Sequence, residues 1–190
     1  MEAAALGGGF GDAPVEAARA FRAVMRAMAR PGTVERVAGA VPPAPMSVAA
    51  GVAVLVLCDP GTPVHLAGGH DCAALRDWIG FHTGAPVVAD RGAAMFALGA
   101  WGALAPLDGY AVGVPEYPDR SATLIVEVER LEPEGARLTG PGIAGAAALS
   151  LPDVAAFRAN AARFPLGLDF LLCRGDRLAG LPRSAHVEAG

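Results

Sequence analysis

Lysine is missing from this 190-residue chain: all fifteen basic residues are arginine. The chain therefore cannot form a lysine Schiff base or supply a P-loop lysine. Cysteine is scarce, with only Cys58, Cys72 and Cys173, and this odd number closes no disulfide framework and suits a reducing compartment. Basic tracts are absent too. Nineteen acids outweigh the arginines, giving a net charge of -4, so there is no electrostatic footprint for nucleic acid. The longest apolar run, 48–58, falls short of the ~20 residues that cross a bilayer. The opening MEAAALGGGFGDAP has Glu2 where a signal peptide carries basic residues and lacks a continuous apolar segment. The expectation is a cytoplasmic protein bound to neither membrane nor nucleic acid.

What is present suits a packed core. Hydrophobic residues make up 53% of the chain, and a chain of this length buries roughly 70% of the surface it exposes when unfolded. We expect one domain over 1–190, with 1–11 a flexible, glycine-rich leader. The positive mean hydropathy of +0.40 is discounted, because much of it is alanine.

Periodicity places the elements. Asp12 and Pro14 signal a helix start. From Val15 to Arg30, Ala18, Phe21, Met25 and Met28 fall on one face and Arg19, Arg22, Arg26 and Arg30 on another, until Pro31-Gly32 stops the helix. A short strand is expected at 33–38 and a proline-rich connector at 41–45. The apolar stretch 46–58 fits a buried helix or a strand, and its alanine content and length favour helix. Residues 62–67 read as a strand and 71–82 as a helix capped by Asp71. Further strands are expected at 86–89, 93–98 and 121–131, with an irregular stretch containing a short helix at 105–120. A turn cluster at 138–143, a helix at 152–163 and strands at 168–173 and 178–181 around the turn 174–177 complete the chain. The alternation predicts an α/β class, a mixed sheet flanked by helices on both faces.

Chemical constellations are sparse. His65, His70, Cys72 and His82 invite a zinc reading, but their spacing fits no familiar ligand pattern, and ordinary surface or half-buried histidines are the better account. The arginine row could hold a phosphate group or an acidic partner, but the solvated face of an amphipathic helix is the better account. Gly140-Pro141-Gly142 lacks the lysine or capped helix of a phosphate cradle. Ser184 and His186 have no evident acid to orient the imidazole, and no G-x-S-x-G elbow occurs. No catalytic residue and no metal ligand is assigned.

Several ordered segments resemble one family. They are FRAVMRAMARPG (21–32), FHTGAP (81–86), Ala122-Thr123-Leu124-Ile125, LTGPGI (138–143) and the ending FPLGLDFLLCRGDRLAGLPRSAHVE (164–188). Together they resemble the PhnH family, one component of the bacterial carbon-phosphorus lyase system. The resemblance implies a fold similar to a reduced pyridoxal-phosphate-dependent transferase without the cofactor. It also implies a role in joining methylphosphonate to the ribose of ATP with release of adenine, alongside subunits G, I and L. The implied partners in the core complex are G, I and J, with a homodimer when the protein is alone. The missing lysine agrees with the lost cofactor.

The matched positions are binding or interface candidates: Arg22, Pro31, Gly32, His82, Thr83, Thr139, Gly140, Gly142, Pro165, Gly167, Asp169, Arg183 and His186. Turn and strand packing accounts for each at least as well as ligand contact. Two readings follow. One is a noncatalytic structural subunit; the other is a stand-alone enzyme or binding protein that holds a phosphorylated ligand with Arg22, His82 and Arg183. Under the first, alanine at any of these three positions is expected to reduce assembly while leaving stability largely intact.

Overall fold

The computed structural model describes residues 7–190. Its centre is a seven-stranded mixed sheet in the order β1 (Glu35–Arg36), β11 (Arg177–Leu181), β10 (Asp169–Arg174), β7 (Thr123–Glu127), β4 (Phe96–Ala100), β2 (Val64–Leu66) and β3 (Val87–Val88). From β10 through β3 the strands run parallel, and β11 and β1 add an antiparallel margin. Both edge strands are only two residues long, which leaves little unpaired backbone for another chain to extend.

Alternation along the strands fills two cores. Ile125, Leu171, Cys173 and Leu178 face one layer. Leu124, Val126, Phe170, Leu172 and Ala179 face the other. The first layer consists of α1 (Ala13–Ala29), α2 (Val48–Leu57) and α3 (Ala73–Thr83). On the second face lie α4 (Trp101–Leu104), α5 (Val154–Ala161) and a three-stranded antiparallel sheet of β12 (His186–Glu188), β8 (Ala136–Thr139) and β9 (Ala147–Leu149). Helices thus cover both faces of a mixed sheet as expected, with a second small sheet added to one of them.

The helix at 46–58 is α2, and all ten of its residues are apolar. It packs against both α1 and α3, so it needs no polar face. Ser47 caps it, its Oγ accepting from the Ala50 amide at 3.2 Å. At the start of α1, Asp12 makes no side-chain cap. Instead the Glu16 carboxylate reaches back to the amides of Gly11 at 2.7 Å and Asp12 at 3.3 Å. The start of α3 also differs from expectation: Cys72 occupies the cap position, while Asp71 forms an ion pair with Arg76 at 2.6 Å. Buried Ala20, Ala23, Val24 and Ala27 seat α1 on the sheet. A Cβ at Gly180 would stand 2.7 Å from the Ala27 backbone, so glycine in β11 sets how closely the helix approaches.

Several expected boundaries shift. The strand at 33–38 shrinks to two residues. The short helix expected within 105–120 lies earlier, as α4, and that stretch folds into the hairpin of β5 (Val112–Val114) and β6 (Tyr117–Ser121). The turn cluster begins only at Gly140, because β8 runs through Thr139. Strands β9 and β12 have too weak a pattern to be read from sequence: the first is Ala-Ala-Leu, and the second is three residues pinned by pairing with β8. Of the leader, 1–6 lie outside the described residues. Gly7 and Gly8 are fastened to the body, with the Gly7 carbonyl accepting from Trp78 Nε1 at 3.0 Å and the Gly8 carbonyl accepting from the Val41 amide at 2.8 Å.

Candidate functional site

Two clefts open beside Trp101. One, of about 700 Å³, lies where β4 and β7 end and is lined by Ala100, Trp101, Glu127, Glu129, Arg130 and Leu151 among others. The carboxyl ends of parallel strands are where open α/β sheets bind their ligands. The other, of about 680 Å³, is lined by Trp101, Pro106, Leu107, Asp108, Asn160 and Arg163 among others. Trp101 is held by stacking on Phe157, with ring centroids 4.7 Å apart, and Phe157 in turn meets Phe170 edge-on at 4.8 Å. Burying such a ring contributes about 1.5–3 kcal/mol, so the wall between the clefts is anchored in the second core.

Glu127 ends β7 and lines the larger cleft. Its Oε1 accepts from the Ser47 amide at 2.7 Å, at the start of α2. Burial pushes its carboxyl up, and the hydrogen bonds from Ser47 only partly oppose this. No motif marks this residue, which in sequence is one of the polar alternates in the stretch 121–131.

None of the matched positions lines either cleft. The structure brings most of them together in three locks. In the first, the Arg183 guanidinium meets the Asp169 carboxylate from Nε at 3.2 Å and from Nη2, the Arg183 amide donates to the same carboxylate at 2.8 Å, and Nη1 donates to the Pro118 carbonyl. Both side chains are largely buried, 14% and 17% exposed. The expectation that Arg183→Ala leaves stability intact is therefore corrected, because it would strand a buried carboxylate.

In the second lock, Pro31 and Gly32 at the end of α1 face Gly142 and Ile143 across a shallow depression of about 230 Å³. Gly142 has φ +79, and a Cβ there would collide with the Ala29 carbonyl; only glycine fits. Beside it, Gly140 lies against the backbone of Ser184 and Ala185, and Thr139 stands opposite His186 in the β8–β12 register.

The third lock joins α5 to β10. Asn160 is the only side-chain amide in a chain without glutamine. It donates to the Leu168 carbonyl at 2.9 Å and accepts from the Leu168 amide at 2.8 Å. Gly167 packs against it and donates to the Val112 carbonyl at 3.0 Å, and Pro165 starts the same bend after a cis peptide bond. A lone amide inside an amphipathic helix forms no pattern, so the linear order does not single out Asn160.

His82 and Thr83 stand apart, at the end of α3. Thr83 Oγ1 donates to the Ile79 carbonyl at 2.7 Å and accepts from the Ala85 amide at 3.0 Å, closing the helix. His82 Nε2 is 3.0 Å from the Gly7 carbonyl, and its ring packs on Trp78 with centroids 4.8 Å apart. Arg22 projects from the exposed side of α1. Arg22, His82 and Arg183 thus stand on α1, on α3 and just beyond β11, and Arg183 is already engaged by Asp169 and the Pro118 carbonyl.

Nucleophiles are no better placed. Burial pushes the Cys58 thiol up to about 12 and Cys173 well above its ordinary value, which suppresses thiolate chemistry. His70 is buried, its pKa is lowered by burial, and its Nε2 has no hydrogen-bond partner among the described residues. Among the described residues, no group of three or more His, Cys, Asp and Glu side chains converges as a metal site. Among them too, no helix is long and apolar enough to cross a membrane.

Fold and site together define an α/β protein whose recognisable motifs serve as internal locks around a mixed sheet, with two open clefts beside a fixed tryptophan. The family model described as "Bacterial phosphonate metabolism protein (PhnH)" matches residues 8–188, and the chain belongs to that family. It is 42% identical over 190 residues to alpha-D-ribose 1-methylphosphonate 5-triphosphate synthase subunit PhnH of Rhizobium meliloti (strain 1021), covering 95% of this chain and 94% of that protein. It is also 36% identical over 83 residues to HtxG of Stutzerimonas stutzeri, described as a candidate C-P lyase subunit, covering 40% of this chain and 43% of that protein.

Proposed function

We propose that this chain is a supporting, noncatalytic subunit of the assembly that joins methylphosphonate to the ribose of ATP with release of adenine, yielding ribose 1-methylphosphonate 5-triphosphate. The observation that carries the reading is the near full-length identity of 42% to a synthase subunit. The placement of the matched residues supports it: Asp169, Arg183, Gly142 and Thr83 are committed to holding the fold, which suits a chain valued for its shape. In this reading the partners are subunits G, I and J, with L for the transfer step, and the isolated chain forms a homodimer in the cytoplasm. The sheet belongs to a reduced form of the pyridoxal-phosphate transferase fold. It works without that cofactor, in keeping with the absence of lysine.

The test is co-expression of the chain with G, I and J from one genome, purification through a tag on I, and native mass spectrometry of the product. Stoichiometric recovery of this chain is the expected result. A chain that runs alone while the others assemble would overturn the proposal.

A further inference from the structure

Helix α1 carries charge out of keeping with the rest of the molecule, and it exposes two large apolar side chains beside that charge. Between Ala13 and Arg30 it has four arginines against one glutamate, in a chain with nineteen acids and fifteen arginines overall. The helix is therefore a basic element on an acidic protein. Its buried stripe, Ala20, Ala23, Val24 and Ala27, seats it on the sheet. Outside that stripe, Phe21 is 45% and Met25 51% exposed, and at i,i+4 spacing they adjoin on one flank. Ala18 and Ala29, also exposed, continue that flank.

The arginines lie beside it. Arg26 is held by Glu35 at 2.7 Å, but among the described residues Arg19, Arg22 and Arg30 form no ion pair. Glu16, the one acid of the helix, is turned back to the amides of Gly11 and Asp12. An apolar pair next to a row of unpaired guanidinium groups matches a surface with an apolar groove and an acidic rim. It matches itself poorly: a twofold axis that sets two copies of the helix antiparallel would place the arginine rows side by side, and the acids beside them, Glu16 and Glu35, are already engaged.

We propose that this flank of α1, with Phe21 and Met25 as apolar anchors and Arg19, Arg22 and Arg30 as the charged margin, docks onto an acidic-rimmed apolar groove of another subunit in the assembly. The inference rests on the subunit reading above and names the surface that reading leaves open. Apolar anchors supply most of the affinity at such interfaces, whereas rim charges set approach rate and salt sensitivity.

The experiment repeats the co-expression with subunits G, I and J using three variants: F21A/M25A, R19E/R22E and, as a charge control on exposed α5, R158E. Recovery on tagged I is read by native mass spectrometry at low and high salt, and folding by thermal unfolding. Because all these side chains except Arg158 lie on the open side of α1 and Arg158 is exposed as well, each variant should unfold near the parent temperature. Expected are a loss of recovery of about tenfold or more for the first two variants, unchanged recovery for R158E, and weaker recovery of the parent at high salt. Parent-like recovery of both α1 variants would overturn the docking surface while leaving the subunit reading in place. Failure of the unaltered chain to assemble would overturn both. Loss of a homodimer in F21A/M25A with assembly intact would make this face a contact between copies and likewise overturn the proposal. Should F21A/M25A fold poorly, R19E/R22E decides the outcome alone.

Discussion

Arg183, just beyond the end of β11, and Asp169, at the start of β10, lock the two strands together through a two-pronged, largely buried ion pair that also fixes the Pro118 carbonyl on β6. Removing one partner leaves the other charged in a place water reaches poorly, so Arg183→Ala is expected to cost about 3 kcal/mol. Urea unfolding checks this. Arg22→Ala, on the exposed side of α1, is the comparison, and it should move the midpoint little.

The contact between Gly142 and the end of α1 predicts a backbone effect. Gly142→Ala must adopt a positive φ and push its Cβ into the Ala29 carbonyl, and strained backbone of this kind costs about 1–3 kcal/mol. A fall in the thermal midpoint is expected. Gly145→Ala, which shares the φ of +79 but whose Cβ would have no atom of the described residues within 4 Å, should lose less.

Glu127 carries a pH dependence of definite sign. Burial holds its folded pKa above the unfolded value of about 4.3. Between the two, the native state binds more protons, so this group's stabilisation is present below the unfolded pKa and is lost as pH rises through the folded one. Glu127→Gln stays neutral and keeps an acceptor for the Ser47 amide. Its stability relative to the parent should therefore rise from about pH 4 to about pH 7. Urea titrations at the two values measure the difference, and a fall would contradict it.

The three cysteines should separate by accessibility. Cys72 is partly exposed, whereas Cys58 and Cys173 are buried with their thiols pushed up. Under mildly alkaline conditions iodoacetamide is expected to label Cys72 in the native protein and the other two only after denaturation. Peptide mass spectrometry assigns the sites.

The α/β class, the long first helix, the buried helix at 48–57 and the paired strands β10 and β11 are legible in the sequence. Their apolar spacing and turn residues act over a few positions, which is the range a linear reading covers. So are the motifs that carry the family. Their use is not legible. Arg183 looks like a free binding residue because its partner Asp169 lies fourteen positions away and its other acceptor, the Pro118 carbonyl, sixty-five. Gly142 resembles part of a plain turn until the carbonyl of Ala29 is seen in the space its side chain would take.

The amino-acid order by itself determined the main helices and the central strands, that no lysine chemistry is open to the chain, and that its first helix is basic. Those properties are local or compositional. Only the tertiary structure decided that most of the matched residues are engaged in internal locks, that Trp101 divides two clefts, that Glu127 is pressed under the start of α2, and that Phe21 and Met25 are left facing solvent. Each of these depends on which distant segments the packed sheet brings side by side, because close packing and the need to pair buried polar groups act between neighbours in space.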